Sequence, residues 1–348
     1  MSAAHALLAF VVTFSAIHLL RPVAQRIGLV DRPGGRKTHE GEIPLIGGPA
    51  MYLGLVAFAL GMADQLPSLI PLLMGCTLLL IVGLIDDHKN LSPRARLVSQ
   101  ALAAALVVYP GDTTLISLGD LFGGGEIQLG ILAGPFTIFA LIGVINAMNM
   151  ADGLDGLGGG LALVTLSFLA LLSWNAGLHA ETHLLLGVIA TVCAFLIYNL
   201  RTPWRQRASI FMGDSGSMML GLFLGWALVH LSQQPHQAIP PAGALWLFAL
   251  PLLDTVCIML RRLLKGRSPF NPDREHLHHI LLAAGYTPGK TPTILLILSA
   301  TLAATGTTLS HILQLQPATL FLFFMILFTL YTWAMTHAWR VIKFVKSA

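Results

Sequence analysis

The chain has 348 residues, 55% hydrophobic and 10% charged, with a mean hydropathy of +0.76 and a formal net charge of +4. So little polar surface cannot coat a soluble globule of this size, so the composition excludes a water-soluble enzyme and implies an integral membrane protein. The basic excess, with a pI near 9.1, reads as membrane orientation and contact with anionic lipid, not as nucleic-acid binding.

Apolar stretches long enough to cross a hydrocarbon core of about 30 Å predict an all-α, polytopic protein of about eleven transmembrane helices, with residues 1–348 forming a single domain. In chain order they lie near 2–20, 45–63, 68–85, 95–110, 131–149, 158–177, 183–200, 212–231, 242–260, 292–312 and 317–339. The first has no basic residue before Arg21 and no convincing cleavage site, so it reads as a retained helix. Charge tests the count independently, because cytoplasmic loops collect Lys and Arg. With the N-terminus periplasmic and the C-terminus cytoplasmic, all 20 basic residues fall on one side, in 21–37, 89–96, 201–207, 261–290 and 340–346. The other side holds only acids: Asp64, Asp112, Asp120, Glu126 and Glu181. One span more or fewer would scatter the basic residues. Residues 111–130, with Gly123 to Gly125, read as an outer loop, and Cys76, Cys193 and Cys257 sit inside apolar spans, where they act as small hydrophobes.

Five aspartates, Asp86, Asp87, Asp152, Asp155 and Asp214, end long apolar runs on the cytoplasmic side of this topology. Carboxylates beside hydrocarbon are costly and mark a candidate site for cations or phosphates. Asp86 and Asp87 are adjacent, so on a helix end their side chains diverge by about 100° and suit two different roles. A solvated helix cap with Lys89 as partner is the plain alternative. Asn146, Asn149, Asp152 and Asp155 recur every third residue and would line up on a helical backbone, with Gly153, Gly156 and Gly158 to Gly160 beside them for ligand approach or tight packing. Gly213-Asp214-Ser215-Gly216-Ser217 opens a span, where free amides suit anions and Asp214 suits a hard cation such as Mg²⁺, or else simply caps the helix. Phe211 beside it offers a ring for stacking. His276, His278 and His279 follow Arg261, Arg262, Lys265, Arg267 and Arg274, a density of positive charge suited to phosphate or sugar contact. Asp254, inside a span, reads as a structural partner of a polar group on another helix, and His18, His230, His311 and His337 read as interfacial.

Carboxylates for Mg²⁺, cations for phosphate and a bilayer-surface location together suggest phosphoryl transfer with one lipid-borne partner. The ordered loops resemble the polyprenyl-phosphate N-acetylhexosamine-1-phosphate transferase family in all its signature segments: Asp86-Asp87, Asn146 to Leu157, Phe211 to Ser217, His276 to His279, and Lys37-Thr38-His39 with Pro44 and Gly47-Gly48. The stretch from Arg261 to His279 looks like the bacterial branch that uses undecaprenyl phosphate and N-acetylglucosamine to start O-antigen and enterobacterial common antigen. The peptidoglycan branch has three consecutive histidines, where this chain has Ile280 in the third place. The resemblance implies that UDP-N-acetylglucosamine and undecaprenyl phosphate give undecaprenyl-diphospho-N-acetylglucosamine and UMP at the bacterial inner membrane, with Mg²⁺ or Mn²⁺.

By motif position it implies metal binding by Asp214, handling of the lipid phosphate by Asp86 or Asp87, and a site lined by Asp152. It implies a uridine pocket of Gly153, Leu154, Asp155, Asn199 and Phe211, and sugar-diphosphate contact by Arg261, Arg262, Arg267, His276, His278 and His279. Lys37, His39 and Asn149 complete the expected set. An ion-coupled transporter is the rival of a different class; it would need acids near mid-membrane and polar groups on both sides. A CDP-alcohol phosphatidyltransferase is chemically nearer, but Asp152-Gly153-Leu154-Asp155 lacks that family's Ala-Arg pair and downstream acids. Gly221 and Gly225 form a small-xxx-small pair able to join helices within the chain or in a homodimer.

Overall fold

The computed structural model describes the backbone of residues 2–32, 41–59, 62, 65–266 and 275–347, and within these the side chains of residues 4–338. Lys37, His39 and Arg267 lie outside the described residues. The helices are α1 (Ser2–Ile27), α2 (Gly47–Ala59), α3 (Leu69–Lys89), α4 (Pro93–Val108), α5 (Ala133–Ala151), α6 (Leu157–Asn175), α7 (His179–Asn199), α8 (Gly213–His230), α9 (Pro241–Leu247), α10 (Ala249–Leu264), α11 (Leu277–Ala283), α12 (Lys290–Thr307) and α13 (Pro317–Ser347). Two-residue strands β1 (Val30–Asp31) and β2 (Ile43–Pro44) pair antiparallel after α1.

Every predicted span contains a helix, and among the described residues seven are long and apolar enough to cross a membrane. The bent pair α9–α10 makes an eighth if it counts as one span, while α2 is apolar but short. The molecule is therefore a polytopic helical membrane protein. Large apolar side chains on its outside, such as Leu19, Ile70, Leu102, Phe139 and Trp333, suit a lipid surround.

The most buried helix is α8, whose residues Ser215 to Val229 are all buried. It packs on α2, α3 and α5, and those three helices carry the site loops at one end. Gly221 and Gly225 face Ile145 and Leu141, so the small-residue pair joins α8 to α5 within one chain and lends no support to a homodimer.

The 242–260 span is not straight: it turns by 87° at Phe248. Pro251 explains the break. It has no N–H to donate back to Leu247, and its ring would clash with that carbonyl. The Leu247 carbonyl instead accepts from Thr165 Oγ1 at 3.1 Å, which ties the bend to α6. With α4 and α5, the bent pair walls a cleft of about 1110 Å³.

Candidate active site

The Asp86-Asp87 pair ends α3, and its two side chains part as adjacent helical residues must. Asp86 is only 3% exposed. Its Oδ1 accepts the Leu91 amide at 2.6 Å, and Arg96 Nε stands 3.2 Å from Oδ2 without hydrogen-bond alignment. Asp87 instead reaches α8, where Oδ1 accepts the Asp214 amide at 2.8 Å and Oδ2 the Ser215 amide at 3.3 Å. The free amides expected to favour an anion are thus capped by a carboxylate from another helix. Gly213 makes this possible: its φ is +74°, and a Cβ there would lie 2.5 Å from Asp87 Oδ2.

Asp214, in the first turn of α8, accepts Asn149 Nδ2 at 2.7 Å, and the same amide donates to Ser217 Oγ at 2.8 Å. Its other oxygen lies 3.6 Å from Arg96 Nη1, so Arg96 stands between Asp86 and Asp214. Sequence reasoning missed Arg96, counting it only among the basic loop residues. Its signal was the helix start Ser92-Pro93: Ser92 Oγ accepts the Ala95 amide, and Arg96 follows at the end of the first turn, nine residues after Asp87.

The expected row on α5 holds for Asn146, which donates to Gln100 Oε1 at 2.7 Å, and for Asn149. It breaks after Ala151, where α5 ends, and Gly156 at φ +78° turns the chain into α6. The equal spacing therefore does not align the aspartates. Asp152 stays at the site, while Asp155 turns to Arg201 Nε at 2.8 Å and the Ala208 amide at 3.0 Å. Burial raises the Asp152 pKa to about 7, helped by the charges of Asp214, Asp155 and Asp87, with the Gly158 amide opposing.

The expected uridine-pocket residues gather around this turn. Asn199 is buried and engaged at both its oxygen and its nitrogen: it accepts the Gly156 amide at 2.8 Å and donates to the Ile210 carbonyl at 2.9 Å, fastening the 152–157 turn to the segment before α8. Phe211 exchanges backbone hydrogen bonds with Pro44 and Gly47, bringing the start of α2 alongside. Leu154 packs against the buried cluster that holds Leu157 and Leu161, as Leu277 does. Gly153 touches the His278 ring, whose Nε2 lies 2.5 Å from where a Cβ would be.

The histidine segment is organised by Asp254. One oxygen of Asp254 is 2.8 Å from His276 Nδ1; the other accepts the Leu277 amide at 3.0 Å and Tyr331 Oη at 2.8 Å. The structural role expected for Asp254 is the one observed. His278 stacks on His276 and meets a tilted His279 ring, and burial, then its two imidazole neighbours, push its pKa down to about 3. Arg261 pairs with Glu275 at 2.9 Å, whereas the buried Arg262 lines the cleft with His276, His278 and His279.

Oxygen donors dominate around Asp214, which suits a hard cation. Among the described residues, no three of these carboxylates bring ligand atoms within 4.8 Å of one another. That fits Mg²⁺, which takes one or two carboxylates and fills its shell with water and phosphate oxygens. Asp86 Oδ2 is buried without an aligned hydrogen bond and faces Arg96 as an ion pair at 3.2 Å. The cleft runs from Arg96, Asn149, Gly153 and the histidines to a wall of Leu118, Phe136, Phe139 and Phe321.

Glycosyl transferase family 4 matches residues 69–232. Relatives named undecaprenyl-phosphate alpha-N-acetylglucosaminyl 1-phosphate transferase occur in Escherichia coli (strain K12), 36% identical, and Salmonella typhimurium (strain LT2), 38% identical. Each alignment spans 338 residues, 97% of this chain and 92% of the relative. The Haemophilus influenzae protein of the same name is 37% identical over 97% of this chain and 95% of its own length. With relatedness of that degree from end to end, the chain belongs to glycosyl transferase family 4, alongside the N-acetylglucosaminyl 1-phosphate transferases that its loop motifs indicated.

Proposed function

We propose that the protein transfers N-acetylglucosamine 1-phosphate from UDP-N-acetylglucosamine to undecaprenyl phosphate, releasing UMP, as the first membrane step of O-antigen or a related surface polysaccharide. The observation that carries this reading is the cleft: cationic and polar at the aspartate end, apolar for the rest of its length. An amphiphile with a phosphate head and a long hydrocarbon tail fits both halves, and the relatives' names specify that acceptor.

An oxygen of the lipid phosphate attacks the β-phosphorus of the sugar nucleotide; the bond to the UMP oxygen breaks and UMP departs. Arg96, Arg262 and the histidine segment orient the two phosphate groups, and the two arginines offset the charge that builds up during transfer. Asp152, with a pKa near neutrality, accepts any proton left on the acceptor phosphate, while Asp87 holds the start of α8, where Asp214 contacts the cleft-lining Asn149. A divalent ion, Mg²⁺ or Mn²⁺, held by Asp214 would supply Lewis-acid stabilisation of the phosphate oxygens. The uridine belongs beside Gly153, Leu154, Asp155, Asn199 and Phe211. Eleven crossings, a periplasmic N-terminus and a site facing the cytoplasm of the inner membrane complete the reading; the one-sided distribution of basic residues supports them. The transporter alternative loses its main candidate, because Asp254 is occupied by His276, Leu277 and Tyr331.

Purified protein in detergent, given undecaprenyl phosphate, Mg²⁺ and radiolabelled UDP-N-acetylglucosamine, should release UMP and move label into the lipid phase, with both signals abolished by EDTA. UMP release without lipid labelling would overturn the acceptor, and activity confined to another UDP-N-acetyl sugar would overturn the donor.

A further inference from the structure

At the end of the bundle opposite the aspartates, three side chains converge that transfer chemistry does not use. Glu181 opens α7, His230 closes α8 about 24 Å of helix away from Asp214, and His236 sits in the following loop. His236 Nδ1 is 2.7 Å from Glu181 Oε1, and His230 Nε2 is 3.5 Å from the same oxygen. One ligand atom from each lies within 4.8 Å of the others.

A hydrogen-bond network alone does not satisfy this cluster. His236 Nδ1 meets Glu181 Oε1 as an ion-pair contact, whereas His230 Nε2 stands 3.5 Å from the same oxygen and is buried with no hydrogen-bond partner. The His230 side chain is only 9% exposed and that of Glu181 only 6%, so an anion and an unmatched imidazole nitrogen share a confined space. A small cation between them would engage all three donors at once.

We propose that Glu181, His230 and His236 form a binding site for a divalent transition metal of the Zn²⁺ class, with a fourth position open to water or a ligand. Two imidazoles and one carboxylate are a donor set that takes zinc and its neighbours over Mg²⁺ or Ca²⁺, and three protein ligands leave one tetrahedral position free.

The frame is already built. The His230 ring stacks between Trp226 at 4.8 Å and His236 at 4.3 Å. The loop bearing His236 is fixed on both flanks. Gln233 accepts the Ile116 and Ser117 amides at 3.0 Å and donates to the Ser117 carbonyl, while Ala238 and Ile239 donate to the Leu231 carbonyl. Metal would therefore clamp α7, α8 and this loop together. The sequence concealed the site because its ligands are 49 and 6 residues apart and no short motif joins them.

The test uses full-length protein with a histidine-free tag, stripped with EDTA and titrated with Zn²⁺ alone. Wild type should retain one Zn²⁺ per chain at this end and show a rise in Tm that equal Mg²⁺ does not produce. His236→Gln changes a loop side chain that is 39% exposed, and it should lower Zn²⁺ affinity at least about tenfold while leaving transferase turnover intact. Glu181→Gln should do the same to affinity. Absence of saturable Zn²⁺ binding and of the Tm rise in wild type overturns the proposal. So does binding that His236→Gln leaves unchanged, which would assign the metal to His276, His278 and His279.

Discussion

Asp214 carries the sharpest residue-scale claim. Its carboxylate touches a neutral amide, Asn149, and a cation, Arg96, so it is either a metal ligand or only half of an ion pair. Asp214→Asn separates the two, because it keeps the size and an oxygen for Asn149 while removing the charge. Turnover should drop at least about a hundredfold and recover only in part when Mg²⁺ is raised. Turnover within a few-fold of wild type, with an unchanged Mg²⁺ requirement, would leave Asp214 as a partner of Arg96 and nothing more. His278 offers a measurement of a different kind. With its pKa pushed to about 3 from 6.5, the ring is neutral in both folded and unfolded chains above about pH 6.5. Below that, the unfolded chain takes up a proton that the folded chain refuses, so this residue's contribution to stability is lost as pH falls towards 3. Between about pH 7 and 5 the Tm of wild type should therefore fall more steeply than that of His278→Gln. Parallel slopes would mean that His278 is not held neutral by its surroundings.

At the scale of elements, sequence periodicity exposed the helices but not how they end. Asn146, Asn149, Asp152 and Asp155 are evenly spaced, yet two lie on α5 and two beyond it, because Gly156 at positive φ starts a new helix in another direction. Likewise the 242–260 stretch contained Pro251 in plain view, but not the 87° turn that makes it one wall of a cleft. Arg96 escaped notice because its role depends on α4 lying beside α8, and that neighbourhood is tertiary. The motifs themselves were legible, since the aspartate pair, the Gly-Asp-Ser segment and the histidines do meet at one end of the bundle. The assignment of the cleft to lipid is testable at Gly143 on α5. This residue lines the cleft, and a Cβ there meets nothing within 4 Å. Gly143→Phe would fill the lumen without straining the backbone, and it replaces a poor helix former. The KM for undecaprenyl phosphate should rise at least about tenfold while that for the sugar nucleotide stays put. A change confined to the nucleotide KM would place the tail elsewhere.

For the whole molecule, the orientation rests on charge: every Lys and Arg falls on one side if there are eleven crossings. Among the described residues, seven helices meet the length and apolarity of a span, and α8 is enclosed by its neighbours instead of facing lipid. Enclosure explains why so central a helix can carry Gly213, Asp214, Ser215 and Ser217 in its first turn and still lie among apolar segments: its polar start contacts Asp87 and Asn149, not hydrocarbon. The two ends of α7 allow a direct check of orientation. Trp204, beyond its C-terminal end, is 92% exposed, and Ala176, just before its N-terminal end, is also exposed. Cys76 and Cys257 are buried and Cys193 is partly so, and replacing all three by Ala removes one sulfur from each site and every native thiol from the chain. In that background Ala176→Cys should react with a membrane-impermeant thiol reagent in cells whose outer membrane alone has been opened. Trp204→Cys should react only after the inner membrane is breached. The reverse pattern would put the aspartates on the outer face, where no UDP-sugar is made, and would count against the transferase reading as well as the topology. Labelling of both from the same side would mean that α7 does not cross, and the number of spans would have to change by one.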